Sequence, residues 1–453
     1  MFRKILIANR GEIAVRIIRA CRELQIRTVA IYSEADIDAL HVKMADESYC
    51  VGPASANLSY RHIPNILSVA ELTGAEAIHP GYGFLAEDSH FAEVCESVGV
   101  RFIGPSAESI RLLGNKAKAR DVMKNAGLPV VPGSDGPIAS DTEAFDVANK
   151  IGYPVIIKAV SGGGGRGIRV VHKEEELSAH LKIARSEAKT SFGDDNVYIE
   201  KYFTDPRHIE VQVLADEKGK AVFFTERDCS IQRRHQKLIE ESPSPVIEEK
   251  LRRELGRLAL EAVRATHYVN AGTVEFLFDK EIYFIEMNAR IQVEHPITEA
   301  IHGVDLVKEQ IKIAAGRGLE LKQSQIKGQG HSIECRINAE CPEKFTPSAG
   351  QITSFHLPGG PGVRIDGALT HPMRITPHYD PMIAKLIVHA DSRDTALAKM
   401  RMALSEFSIE GIKTSLPLHR RIFEDPTFIK GRYSTNYIEG FLSASSASET
   451  PPI

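Results

Sequence analysis

The 453-residue chain is long enough for two to four domains and a large buried core. Apolar residues make up 43% and charged residues 26% of it, and the net charge of −4 gives no global field for nucleic acid or an anionic membrane. Charges interrupt every apolar stretch of "MFRKILIANRGEIAVRIIRAC", so neither a signal-peptide core nor a membrane span is read there and a cytoplasmic protein is expected.

In chain order, "KILIAN" predicts a short strand, and "RGEIAVRIIRACRELQ" a helix whose apolar face holds Ile13, Ile17, Ile18, Cys21 and Leu24. "RTVAIYS" is a second strand, "AEAIHPGYGFLAE" a strand running into a glycine turn, "SHFAEVCESVG" a helix and "VRFIGPS" the closing strand. This alternation predicts a parallel α/β domain over residues 1–113, with ligands at the carboxyl ends of its strands. "NRGE" and "HPGYGF" both sit at such ends.

A second region, residues 114–330, opens with "NKAKARDVMKNAGLPVVPG", a helix ended by Gly127 and Pro129. Within it, residues 133–203 carry the run "KAVSGGGGRG" between two β-branched stretches, "YPVIIKA" and "GIRVV". The glycines are consecutive and no helix follows, so neither a Walker A loop nor the dinucleotide fingerprint fits. A strand-to-strand flap is expected, its unshielded N–H groups free to bend around an anion. "EEELSAHLKIARSEAKTSF" follows as an amphipathic helix and "NVYIEKYF" as a strand. From residue 207 the chain is strand-rich, through "HIEVQVLAD", "AVFFTERDCS", "GTVEFLFD" and "IYFIEMNAR", and a helix is expected at 303–316.

Residues 331–445 read as a mixed β unit, with "HSIECRINAE", "QITSFHLPGG" and "MIAKLIVHA" as strands and "DTALAKMRMALSEF" as a helix. The small polar residues of "SASSASETPPI" predict a disordered tail, placed at 446–453. The six cysteines show no CxxC spacing and are expected to be reduced and mostly buried.

The densest chemistry lies in "GTVEFLFDKEIYFIEMNARIQVEHP". A hairpin would bring Glu275 and Glu286 together, with Asn288 beside them, a set of oxygen donors suited to Mg²⁺ or Mn²⁺. Solvent exposure explains Glu281 well and Glu286 poorly. Arg290, Gln292 and Glu294 alternate with apolar residues, and an extended run would aim all three at one face, able to hold a small oxyanion and deprotonate it. A solvated edge strand with an Arg–Glu pair is an even alternative. Lys158, on an apolar strand beside the flap, calls for an anion. At least one of Lys116 and Lys118 is explained by bland solvation, His208 reads first as a structural histidine, and the cluster Arg227, Arg233, Arg234, His235 and Lys237 reads first as a solvated face.

These stretches, together with "ERDCSIQRRHQKLIEESP", "ECRINAE", "YDPMIAKLIV" and "GIKTSLPL", closely resemble the biotin carboxylases, the ATP-grasp subunits of acetyl-CoA carboxylase and related biotin-dependent carboxylases. The resemblance covers nearly the whole chain, in order. It implies an ATP-grasp fold whose glycine-rich lid closes over ATP, and ATP-dependent carboxylation of biotin with bicarbonate. Glu275, Glu286 and Asn288 match positions that bind metal, two ions in this family. Lys116, Lys158 and the lid residues Gly163, Gly164 and Gly165 match phosphate contacts, and Glu200, Lys201 and Phe203 the adenine-gripping segment. His208, Gln232, His235 and Leu277 match further nucleotide-pocket positions. Lys237, Arg290, Gln292 and Val293 match the bicarbonate pocket, Glu294 the general base and Arg336 a biotin contact.

The same resemblance implies a homodimer, a biotin carboxyl carrier protein on another chain, carboxyltransferase partners, and a route to malonyl-CoA and fatty acids. Propionyl-CoA or pyruvate carboxylation is the alternative. Two departures stand out: a shorter glycine run in the lid, and Ala289 where threonine is usual. The rival readings are a carbamoyl-phosphate-type enzyme and a non-catalytic nucleotide-binding regulatory protein. For Arg336 the bland alternative is a salt bridge to Glu334 or Glu340.

Overall fold

The computed structural model describes residues 1–160, 167–234 and 236–448, so Gly163, Gly164, Gly165 and His235 lie outside the described residues. Strands β1 (Lys4–Ile7), β2 (Arg27–Ser33), β3 (Glu47–Gly52), β4 (Ala77–His79) and β5 (Arg101–Phe102) form the expected parallel sheet, ordered β3–β2–β1–β4–β5. Leu6 faces one apolar cluster with Ile66 and Phe91, while Ile5 and Ile7 face another with Ile13 and Ile17. Burial on both faces explains the unbroken apolar run.

The strand order reverses between β1 and β4, and a crevice opens there. Asn9 Nδ2 crosses it, donating to the carbonyls of Pro80 and Tyr82 at 2.7 Å each. Gly81 makes this closeness possible: its φ is +63°, and a Cβ would meet Asn9 Nδ2 at 3.0 Å.

β6 (Val155–Ala159), β7 (Ile168–Val171) and β8 (Val197–Lys201) form a separate antiparallel sheet, β7–β6–β8. Helices Asp141–Ile151 and Leu177–Phe192 cover it, around a core of its own that includes Ala148, Ile157, Leu181 and Ile199. The lid region therefore keeps its shape through internal packing.

The largest sheet comprises β9 (Arg207–Ala215), β10 (Ala221–Phe223), β11 (Arg227–Arg233), β12 (Gln236–Ser242), β13 (Asn270–Asp279), β14 (Glu281–Asn288) and β15 (His331–Asn338). The C-terminal region adds β16 (Gly350–Ile352), β17 (Ser354–His356), β18 (Val363–Gly367), β19 (Met373–Ile375), β20 (Met382–Ala390) and β21 (Ser408–Glu410). Its strands run antiparallel as β14–β13–β9–β11–β12–β15–β20–β18, with β10 on β9, so one sheet continues across residue 331. β16 pairs with β19 and β17 with β21.

Three local expectations differ from the structure. The charged stretch read as a solvated face instead supplies β11 and β12 of this sheet, where Arg227 is fully buried while Arg234 and Gln236 remain exposed. Residues 289–294 form a loop rather than a strand, and helix His295–His302 follows at once, with Pro296 suited to its first turn. Helix Tyr437–Ser448 runs into the segment read as a tail; Tyr437 stacks on Phe441 at 5.7 Å and supplies an apolar anchor. Among the described residues all six cysteines are free, with only Cys50 exposed, and no helix is long and apolar enough to cross a membrane.

Candidate active site

Strand alternation puts His208, Glu210 and Gln212 of β9 on one face, while Ile209, Val211 and Val213 enter the core behind them. Glu275 and Leu277 of β13 stand opposite Glu210 and His208, and Glu286 of β14 stands opposite Glu275. Around Glu210 and Gln212 the polar face is shut off from water. Arg227 pairs with Glu210 and donates to Gln212, to Thr273 and, at 2.9 Å, to Thr298 of helix His295–His302, which lies over the sheet.

Lys237 reaches this floor from β12. Its Nζ lies 2.6 Å from Glu210, 3.0 Å from Glu275 and 2.7 Å from Glu294. Burial opposes an ammonium there, but the three carboxylates raise it well above its ordinary value. Glu294, fully buried, shares its oxygens between two cations: Oε1 faces Lys237 and Oε2 accepts from Arg336 at 3.0 Å. Burial would raise this carboxyl; Lys237 and Arg336 carry it far below the usual range. Arg336 also donates to Glu240 at 2.6 Å, so neither Glu334 nor Glu340 is its salt-bridge partner.

The loop before Glu294 is tied to the same cluster. Arg290 donates to Gln292 at 2.8 Å, to Asn288 at 3.0 Å and to Glu87 at 2.9 Å. Gln292 and Asn288 each donate to Glu275 Oε1 at 2.9 Å. Ala289 is buried, and its backbone N–H donates to Glu87 at 2.9 Å. The Val293 carbonyl accepts from Lys385 at 2.8 Å.

The remaining candidates lie toward the lid. Lys116 is 3.1 Å from Glu286, and Lys158 of β6 donates to Glu200 of β8 at 2.6 Å. Lys201 donates to the carbonyls of Gly152 and Tyr153, which fixes the β8 end, and Phe203 stacks on Tyr283 with ring centroids 5.0 Å apart. Gln232 stands opposite Lys237 on the β11–β12 hairpin.

Residues 1–110 match the family "Biotin carboxylase, N-terminal domain", 115–322 "Carbamoyl-phosphate synthase L chain, ATP binding domain", and 334–440 "Biotin carboxylase C-terminal domain". The chain is 57% identical to Biotin carboxylase 1 of Bacillus subtilis over 445 residues, covering 97% of this chain and 99% of that one. The chain belongs to the biotin carboxylase family. Biotin carboxylases are ATP-grasp ligases, so the protein is an enzyme, and the carbamoyl-phosphate rival fails on the domains that flank the shared ATP-binding region. A pyruvate carboxylase component from Methanothermobacter thermautotrophicus is 52% identical over 443 residues, covering 97% of this chain and 90% of that one. The biotin carboxylase domain dimer of Hydrogenobacter thermophilus 2-oxoglutarate carboxylase, solved with magnesium ADP, ADP and bicarbonate, matches with a TM-score of 0.92 at 51% identity, covering 97% of this chain and 98% of that one.

Among the described candidates, Lys237, Glu275, Gln292, Glu294 and Arg336 thus join in one network on the sheet, and the structure adds residues that sequence reasoning missed. Glu210 completes the Lys237 cage, Glu240 backs Arg336, Glu87 holds Arg290 and Lys385 holds the Val293 carbonyl. Only the polar–apolar alternation of "HIEVQV" hinted at Glu210.

Donor atoms of His208, Glu210 and Glu275, and of Glu210, Cys229 and Glu294, are close enough among the described residues to hold a cation, but Lys237 already neutralises both groups. Glu275 and Glu286 form the better metal set. They are carboxylate partners across adjacent strands and supply only oxygen; Glu275 shares Lys237 with the other groups, but Glu286 is partly exposed and, among the described residues, pairs with Lys116 only.

Proposed function

We propose that this enzyme activates bicarbonate with ATP and transfers the carboxyl group to biotin carried on a separate protein. One observation carries the reading: Glu294 is an ionised, fully buried carboxylate held between Lys237 and Arg336, beside Arg290 and Gln292. Lys237, Arg290, Gln292 and the Val293 backbone bind bicarbonate, and Glu294 takes its proton. In the free enzyme Lys237 and Arg336 make Glu294 a weak base. An oxyanion that draws Lys237 to itself removes part of that stabilisation and strengthens the base when the substrate is in place.

The deprotonated bicarbonate oxygen attacks the γ-phosphorus of ATP, ADP leaves, and carboxyphosphate forms. It breaks into CO₂ and phosphate; phosphate accepts the ureido N–H proton of biotin, and the nitrogen attacks CO₂. Arg336 stabilises the developing ureido oxyanion. Lys116 and Lys158 contact the phosphates, and Glu200, Lys201, Phe203, His208, Gln232 and Leu277 take up the nucleotide; Gly163, Gly164, Gly165 and His235, outside the described residues, are assigned to phosphate and nucleotide binding by resemblance. Glu275, Glu286 and Asn288 would hold Mg²⁺, or Mn²⁺, which takes the same oxygen donors, and the ion would supply charge neutralisation at the phosphates.

The match to the Bacillus biotin carboxylase supports the biotin carboxylation step, which a carrier protein, a carboxyltransferase and acetyl-CoA as the final acceptor complete. The Hydrogenobacter dimer supports a homodimer, which sedimentation at micromolar concentration tests. Bicarbonate-dependent ADP release that rises with free biotin is the expected result; carbamate formation or no turnover refutes the reading. Reconstitution with carrier, transferase and acetyl-CoA, pyruvate or 2-oxoglutarate identifies the acceptor. Glu286→Gln should lower turnover by about 100-fold or more at limiting Mg²⁺ while the fold persists.

A further inference from the structure

Lys385 takes no part in the chemistry above, yet it is fully buried and donates into the site. On β20 it stands directly opposite Arg336 of β15 on one side and Asp366 of β18 on the other. Like charges opposed across strands ordinarily weaken the pairing. Here each cation takes a different part of one turn. Arg336 donates to the Glu294 carboxylate at 3.0 Å, and Lys385 to the Val293 carbonyl at 2.8 Å.

Behind Lys385, Glu12 of "NRGE" approaches its Nζ to 3.1 Å, and the same Glu12 oxygen accepts the Tyr82 hydroxyl. Burial opposes the Lys385 ammonium, but Glu12, Glu334 and Asp366 outweigh it and raise the group above its ordinary value. Glu294 caps helix His295–His302 at φ −81° and ψ 12°, so rotation of the Val293–Glu294 peptide would swing its carboxylate. Proton transfer tolerates little such movement.

We propose that Lys385, anchored by Glu12, is a positioning residue that fixes the Val293–Glu294 turn for bicarbonate binding and deprotonation. The inference rests on the reaction assigned above. It gives work to two stretches, "NRGE" and "MIAK", that otherwise touch no reacting group.

The test is bicarbonate-titrated ATP turnover of the full-length enzyme. Glu12→Gln combined with Lys385→Met removes both buried charges together, so neither is left unpaired. Loss of a charged hydrogen bond predicts kcat/KM for bicarbonate about tenfold lower or more, with KM for ATP within about twofold and the circular dichroism unchanged. Lys385→Arg should restore part of the loss. Unaltered bicarbonate kinetics in the double variant would overturn the inference alone. So would equal shifts in KM for bicarbonate and ATP that track the melting temperature. A wild-type enzyme without bicarbonate-dependent turnover would overturn the assigned reaction and this inference together.

Discussion

Glu240 and Glu241 are consecutive on β12, equally buried, and point to opposite faces of the sheet. Glu241 accepts from Arg393 at 2.7 and 3.0 Å, from His331 at 2.7 Å and from the Tyr433 hydroxyl. Burial alone would raise its carboxyl, but His331 and Arg393 carry it down to about 2. Glu240 has Arg336 as a donor, one of its oxygens has no hydrogen-bond partner among the described residues, and Glu334 stands opposite it in register. Burial pushes it up to about 7; Arg336 pulls against that rise and Glu294 adds to it. One residue type thus does two jobs: the satisfied side staples β12 to the C-terminal region, and the under-neutralised side keeps cations in tension around a base.

The largest break in that comparison is Glu294→Gln. Biotin carboxylation and biotin-independent ATP hydrolysis should both fall by about 10²- to 10⁴-fold, because no deprotonated bicarbonate forms. Steady-state assays of both activities check it; an effect on only one would move the base elsewhere. Arg336→Gln should instead divide the two activities. Carboxylation should fall by about 10²- to 10³-fold. Hydrolysis should fall less, although the 3.0 Å bond to Glu294 means that it will not escape entirely. Equal losses tracking a lower melting temperature would make Arg336 structural. On the other face, Glu241→Gln should leave KM values unchanged and cost about 3 kcal/mol in urea unfolding, since Arg393 loses its charged partner.

The two faces were unequally legible from the sequence. The parallel sheet could be read because doubly buried strands are apolar throughout, and the β13–β14 hairpin from its short turn, but the Glu275–Glu286 pairing needs a one-residue bulge after Phe284, because the register set by the turn would place Ile285 opposite Glu275. Polar residues alternating on a strand usually face water, so Lys237 read as solvated and Glu210 and Glu240 drew no notice, although all three lie in the buried or nearly buried face of the sheet beside helix His295–His302. Arg336 is 96 residues from Glu240 and 42 from Glu294, and no local spacing encodes either contact. Family resemblance supplied what periodicity could not for Lys237 and Arg336, and it was silent on Glu240 and Lys385.

The smallest effect is also the sharpest, because the two glutamates should respond to pH with opposite signs. Glu241 faces Arg393, His331 and Tyr433, and its folded value of about 2 lies below the ordinary 4.5. Its stabilisation is therefore complete above pH 4.5 and is lost as pH falls toward 2. Glu240 faces Arg336, Glu294, Glu334 and Lys237, and its folded value of about 7 lies above 4.5. The folded state holds that proton more tightly, so this contribution is complete below pH 4.5 and is lost as pH rises through about 7. Urea midpoints of wild type, Glu240→Gln and Glu241→Gln should accordingly diverge in two separate windows. Glu240→Gln gains on wild type as pH rises from 4.5 to 7, and Glu241→Gln closes its deficit as pH falls from 4.5 to 2. Parallel pH profiles for the two variants would mean that both faces of β12 are neutralised alike, and the contrast between staple and site would fail.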